Sequence, residues 1–153
     1  MAAVDVTVQT EIARPPSEVA AFAGDPSNAT EWYVNIKSAV WRTPAPMEIG
    51  SLIDFTAHFM GKKMSYTYEI VELVPSRRLV MRTQQGPFPM ETIYTWEPTR
   101  HGTLMKLRNH GEPSGFMSIA GAWMERAMRK ATTKDLAKLK ALLERSASSV
   151  PES

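Results

Sequence analysis

Residues 114–145 contain no proline and only two glycines, Gly115 and Gly121, and are dominated by Ala, Leu, Met, Lys, Arg and Glu. These are strong helix formers. The apolar positions Met117, Ala120, Met124, Met128, Ala131, Leu136, Leu139 and Leu143 recur at three- and four-residue steps. Such spacing keeps one face apolar, while Glu125, Arg126, Arg129, Lys130, Lys134, Lys138 and Lys140 mostly fall elsewhere. The pattern predicts one helix with Ser114 as N-cap. At ~1.5 Å per residue, about 32 residues make a rod of roughly 48 Å. A one-sided helix of that length needs a large apolar partner surface, and the hundred or so residues before it must supply one.

They read as a sheet. Val4, Val6 and Val8 alternate with polar residues in a first half-buried strand that reaches Ile12, with an irregularity expected near Glu11. Pro15 and Pro16 stop it and suit a helix first turn, where a missing N–H costs nothing. Residues 17–23 then form a short helix with Val19 and Phe22 as buried contacts. Asp25-Pro26-Ser27 starts a second short helix that leads to Trp32 and Tyr33.

From Ile36 onward the pattern is β. Strands are predicted at 37–42, 52–60, 64–74, 78–84, 90–97 and 103–110, separated by Pro- and Gly-rich turns. In the second of these, Ile53, Phe55, Ala57 and Phe59 share one face, and Asp54, Thr56 and His58 the other. Short turns mean antiparallel pairing, since parallel strands need long crossovers. The expected architecture is α+β: a seven-stranded antiparallel sheet, two short helices after the first strand, and a long C-terminal helix across the sheet. Twist should curl so long a sheet around the helix.

A chain of 153 residues fits one domain, with an ordered core at about 3–146 and a frayed tail at 147–153. Zero cysteines remove disulfides and thiolate chemistry. The net charge of +2 comes without a dense Lys/Arg run, so no nucleic-acid partner is expected. No signal peptide is visible, and no apolar run is long enough for stable membrane insertion, which makes the cytoplasm the expected location. His58, His101 and His110 are scattered without ligand spacing, so no metal is expected. Nucleotide-binding loops and nucleophile elbows are missing, and no cofactor is expected.

Alternation selects an inward face: Ile53, Phe55, Phe59, Tyr66, Tyr68, Met81, Tyr94, Trp96, Met105 and Leu107, with Asn109 as an inward polar group. The helix stripe of Met117, Met124, Met128 and Leu136 faces it. Ten methionines either fill an irregular core or line an adaptable apolar pocket. Buried tyrosine hydroxyls want partners, in the protein or on a ligand. Arg82 and Gln84 share one strand face, and Arg108 and His110 another; on the convex side all four are solvated. A one-residue slip of register would turn them inward.

Certain junctions carry a family likeness. Ile12-Ala13-Arg14-Pro15-Pro16-Ser17-Glu18-Val19, the stretch from Asp25 through Trp32, Val71-Glu72-Leu73-Val74-Pro75-Ser76-Arg77-Arg78-Leu79-Val80, and His101-Gly102-Thr103 resemble the START-like helix-grip (SRPBCC) superfamily, in its polyketide cyclase/dehydrase-like branch. The resemblance spans nearly the whole chain and implies an apolar cavity between sheet and long helix, with Trp32 and Tyr33 at its mouth. One of these two is expected to be buried and the other nearer the entrance.

Three functions follow. The first is binding of a small hydrophobic or amphipathic ligand (lipid, polyketide or aromatic) by a monomer or homodimer. The second is a cyclase/dehydratase-type enzyme with Tyr66, Tyr94 or Arg108 as acid/base groups. The third is a protein-interaction domain using the basic helix surface. An Arg, His, Asp or Glu in the cavity would favour catalysis, whereas an apolar and phenolic lining would favour binding.

Overall fold

A computed structural model of the chain describes residues 4–59, 61–86, 89–111 and 121–148. Its elements run in order β1 (Val4–Ile12), α1 (Pro16–Ala23), a 3-10 turn (Pro26–Asn28), α2 (Ala29–Trp32) and β2 (Ile36–Trp41). β3 (Leu52–Phe59), β4 (Lys62–Val74), β5 (Arg78–Gln85), β6 (Met90–Pro98), β7 (Thr103–Gly111) and α3 (Gly121–Ser148) follow. The seven strands form one antiparallel sheet in the order β1-β7-β6-β5-β4-β3-β2, so the first strand closes against the last. This is the α+β helix-grip architecture that the alternation and the helical stripe predict. The expected helix start at Ser114, and Met117 with it, lie outside the described residues.

β1 pairs in unbroken register from Val4↔Gly111 to Ile12↔Thr103. The irregularity expected near Glu11 is absent, because even-numbered residues hold the inward face throughout. Irregularities lie elsewhere: the register shifts between Ile36 and Ser38 on β2, and twice along the β4–β5 pair, where Gln84 of β5 and Val71 of β4 are the extra residues. Bulges of this kind bend a strand and increase its twist, which curls the sheet. In α1 the buried contacts are Val19 and Ala23, with Phe22 only half-buried. At the second helix start, the Asp25 carboxylate accepts the Ser27 N–H at 2.9 Å. Among the described residues no helix is long and apolar enough to cross a membrane.

The family-like junctions have a physical basis. A Cβ on Gly102 would lie 2.1 Å from the Ile12 carbonyl oxygen and 2.8 Å from the Arg14 nitrogen. Next to it, the Thr103 hydroxyl donates to the Arg14 carbonyl at 2.7 Å. The exit from β1 and the start of β7 are therefore pressed together, and only a residue without a side chain fits between them.

The helix and sheet bury two apolar clusters. The larger joins Leu136, Leu139 and Leu143 of α3 to Ile12, Trp32, Trp96, Met105 and their neighbours. Each leucine so buried contributes roughly 1.5–3 kcal/mol. The smaller cluster sets Met124 and Met128 against Val4 and Val6, with Phe59, Met64 and Met90 at its border. α3 also runs along the β1 edge. Arg129 donates to the Thr7 carbonyl at 3.1 Å, Lys140 donates to the Glu11 carbonyl at 2.7 Å, and the Glu144 carboxylate accepts the Ala13 N–H at 2.9 Å.

Candidate functional site

Between the two clusters the helix and sheet do not meet, and a cavity of about 130 Å³ remains. Strand alternation aims Phe55, Ala57 and Phe59 of β3 into it, with Met64, Tyr66 and Tyr68 of β4 alongside. Met81 and Thr83 of β5, Met90, Thr92 and Tyr94 of β6, and Asn109 of β7 extend the same wall. α3 covers it with Met124, Met128, Ala131, Thr132 and Asp135, and Tyr33, Asn35 and Ile36 close the side near β2. A larger and more open hollow of about 450 Å³ lies between α1 and the β4–β5 turn, lined by Trp41, Met47, Leu73 and Trp96 among others. The smaller cavity is the better candidate, because sheet and helix bound it and several polar groups converge there.

Those polar groups fall into two sets. On one flank Tyr68 donates to Thr92 Oγ1 (2.6 Å), and Thr92 donates to Asn109 Oδ1 (2.6 Å). Burial pushes the Tyr68 hydroxyl up to about 12. On the other flank the Tyr33 and Tyr94 hydroxyls hydrogen-bond each other. Burial holds both phenols, and that of Tyr66, above their ordinary range. The Tyr66 hydroxyl has no hydrogen-bond partner among the described residues; its ring stacks on Phe55 at 5.5 Å between centroids. Asp135, only 4% exposed, accepts the Val34 N–H at 2.8 Å through Oδ1. Burial raises its carboxyl to about 6, against the opposing pull of the Val34 N–H and of Lys138.

Of the residues expected at the site, Tyr33, Phe55, Phe59, Tyr66, Tyr68, Met81, Tyr94, Asn109, Met124 and Met128 line the cavity. Four are elsewhere. Trp32 is fully buried behind Tyr33, with ring centroids 4.0 Å apart, instead of standing at a mouth. The expectation that one of the two aromatics would be buried describes this pair, and Tyr33 is the one facing the cavity. Trp96 and Met105 share the inward sheet face but sit further along it, where the leucines of α3 pack directly against the sheet. Arg108 is on the outer face, donating to Asp5 through Nε (2.8 Å) and Nη2 (2.7 Å), because its neighbours Leu107 and Asn109 hold the inward positions.

Arg82 and His110 likewise meet Glu91 outside the cavity, and Gln84 bonds Glu69. Alternation could have added Met64, Thr83, Met90 and Thr92, which share faces with expected residues. Asp135 needed the helical phase instead. Among the described residues no group of three His, Cys, Asp or Glu could hold a metal.

The sequence profile of a family described as polyketide cyclase / dehydrase and lipid transport matches residues 3–144. No curated protein is detectably similar in sequence. Among solved structures, TTHA0849 from Thermus thermophilus shares the fold over 97% of this chain and 99% of its own, at 20% identity and a TM-score of 0.78. The di-domain ARO/CYC StfQ from the steffimycin biosynthetic pathway matches over 96% of this chain and 53% of its own, at 15% identity and a TM-score of 0.79. A START superfamily protein from Mycobacterium smegmatis matches over 95% and 99%, at 14% identity and a TM-score of 0.78. At such identities the likeness is one of fold.

Proposed function

The chain belongs to the polyketide cyclase/dehydrase and lipid transport family, and on that premise we propose that it binds a small aromatic or amphipathic molecule in the cavity beneath α3. The observation that carries this is the lining itself: aromatic and methionine side chains from four strands, with a Tyr66 hydroxyl that has no partner among the described residues. A cavity of about 150 Å³ lined by apolar groups is large enough for a benzene ring. The 130 Å³ here is close to that size, which limits the ligand to a single ring with at most a short polar arm. The proposal is for a single domain acting in the cytoplasm as a monomer or homodimer, without nucleic acid. The lack of a dense Lys/Arg run supports the last of these.

Calorimetric titration with 2-phenylethanol tests the binding reading. Saturable binding should weaken about tenfold or more in Ala131→Phe, whose ring fills the cavity, with an unchanged circular dichroism spectrum. Lys130→Glu, on the exposed helix face, should leave it intact. No binding to wild type, or equal binding to Ala131→Phe, would refute the reading.

Asp135 favours a second reading, acid/base chemistry of the cyclase/dehydratase type. Its proton affinity lies near neutrality, where a general base works best. The cavity tyrosines keep their protons at that pH and act as hydrogen-bond donors. Incubation with phenylacetone in D2O should then place deuterium at the benzylic carbon with wild type and not with Asp135→Asn. Equal exchange in both proteins removes this reading.

A further inference from the structure

We infer that the cavity selects a ligand whose polar arm is a protonated amine, held by the Asp135 carboxylate while its ring lies among Phe55, Phe59 and Met128. The inference deepens the binding reading above and rests on it.

Asp135 is the one charged residue among the described residues that line the cavity; no Lys, Arg or His is with it. Its Oδ1 is taken by the Val34 N–H, and Oδ2 has no hydrogen-bond partner among the described residues. A carboxylate this deeply buried is costly unless a cation or strong donors meet it. The groups that face it define what is on offer. α3 itself contributes Lys138, whose ammonium is on an exposed side chain, and Thr132 one turn back. The segment after α2 contributes the Val34 N–H and the Tyr33 hydroxyl, and the sheet contributes the Tyr66 and Tyr94 phenols. None of these places a full positive charge inside the cavity, so a ligand cation would complete the set.

The surroundings suit an ammonium group for a second reason. Phenol rings attract cations to their faces, and phenol and threonine oxygens accept N–H donors. The ammonium has three N–H bonds to place, and Asp135 Oδ2, Tyr66 Oη and Thr132 Oγ1 are acceptors on the same lining. A ligand carboxylate or phosphate would meet the like charge of Asp135 instead. The cavity should therefore reject fatty acids and accept aryl-alkyl amines.

Phenethylamine and 2-phenylethanol share one shape, so their comparison reads the charge, and the larger 3-phenylpropanoate adds the opposite charge. Phenethylamine, 2-phenylethanol and 3-phenylpropanoate would be titrated calorimetrically into wild type and Asp135→Asn at pH 7.5, since asparagine keeps the acceptor for Val34. With wild type the amine should bind about tenfold tighter than the alcohol, the size of one charge-assisted hydrogen bond, and the carboxylate weakest. Asp135→Asn should bring the amine down to the level of the alcohol and change the alcohol less than about threefold.

Titrating wild type at pH 5 neutralises the carboxyl without a substitution and should narrow the amine's advantage in the same direction. An alcohol that binds as well as the amine, or an amine preference that survives both Asp135→Asn and pH 5, overturns the inference and leaves the binding reading standing. If none of the three binds, both fall.

Discussion

Asp135 Oδ1 accepts the Val34 N–H at 2.8 Å, so a side chain of the long helix that faces the cavity also fastens the segment between α2 and β2. This bond is made by a group that would rather be neutral. Burial raises the carboxyl from 3.8 to about 6. The folded state therefore keeps the proton to higher pH than the unfolded chain does. The stabilising effect of that proton is complete below pH 3.8 and is lost as pH rises through about 6. The resulting penalty at pH 7.5 is on the order of 3 kcal/mol. Asp135→Asn keeps the acceptor and removes the charge. Its melting temperature should exceed that of wild type at pH 7.5, and the gap should shrink at pH 5. Melts that show no gap at pH 7.5 would mean that water or a counter-charge already relieves the carboxylate.

The Arg108–Asp5 pair is on the opposite face of the sheet, and its two hydrogen bonds hold the Asp5 carboxyl below its usual range. Both side chains are well exposed, at 44% and 50%, so solvent screens the pair. Arg108→Ala should cost less than about 1 kcal/mol and leave affinity for 2-phenylethanol unchanged. A loss of binding in this variant would mean that the outer face communicates with the cavity.

Gly102 is the tightest position in the chain junctions. An alanine there would drive its Cβ to 2.1 Å from the Ile12 carbonyl oxygen and 2.9 Å from the Ala13 Cα. These are backbone atoms, one at the end of β1 and one just past it, and they cannot swing aside as a side-chain tip would. Gly102→Ala should destabilise by about 3 kcal/mol or more, read by urea denaturation. A midpoint close to wild type would show that β1 and β7 can separate at this end without loss.

Most of the cavity wall was legible in the sequence because a period of two leaves little freedom. Once Ile53, Phe55 and Phe59 are inward, Tyr66 and Tyr68 must face them across the β3–β4 hairpin, where Phe55 pairs with Tyr66 and Ile53 with Tyr68. The same rule turns Arg108 outward as soon as Leu107 is buried. Alternation fixes a face but not a distance along it, so Trp96 and Met105 share the face and still lie outside the cavity. Their place is set by where Leu136, Leu139 and Leu143 land on the sheet, which is a matter of packing.

Asp135 was hidden for another reason. Between Lys134 and Lys138 it reads as one more charge on a solvated helix face. The helical phase says otherwise: Met128, Thr132, Asp135 and Leu139 follow one another at steps of four, three and four, and all four are buried. A carboxylate on the stripe that carries Met128 and Leu139 is the signal to look for. The bulges on β2, β4 and β5 that curl the sheet left no such mark.

The contacts of α3 with β1 bear on how copies of this protein meet one another. An open sheet has two borders, and each exposes backbone groups on which a foreign strand can dock. Along the β1 border, Arg129 and Lys140 occupy the Thr7 and Glu11 carbonyls, and Glu144 occupies the Ala13 N–H just beyond the strand. The long helix there works as a selvedge, taking up backbone groups that a docking strand would need. Growth by strand addition is thereby steered to β2 at the far border.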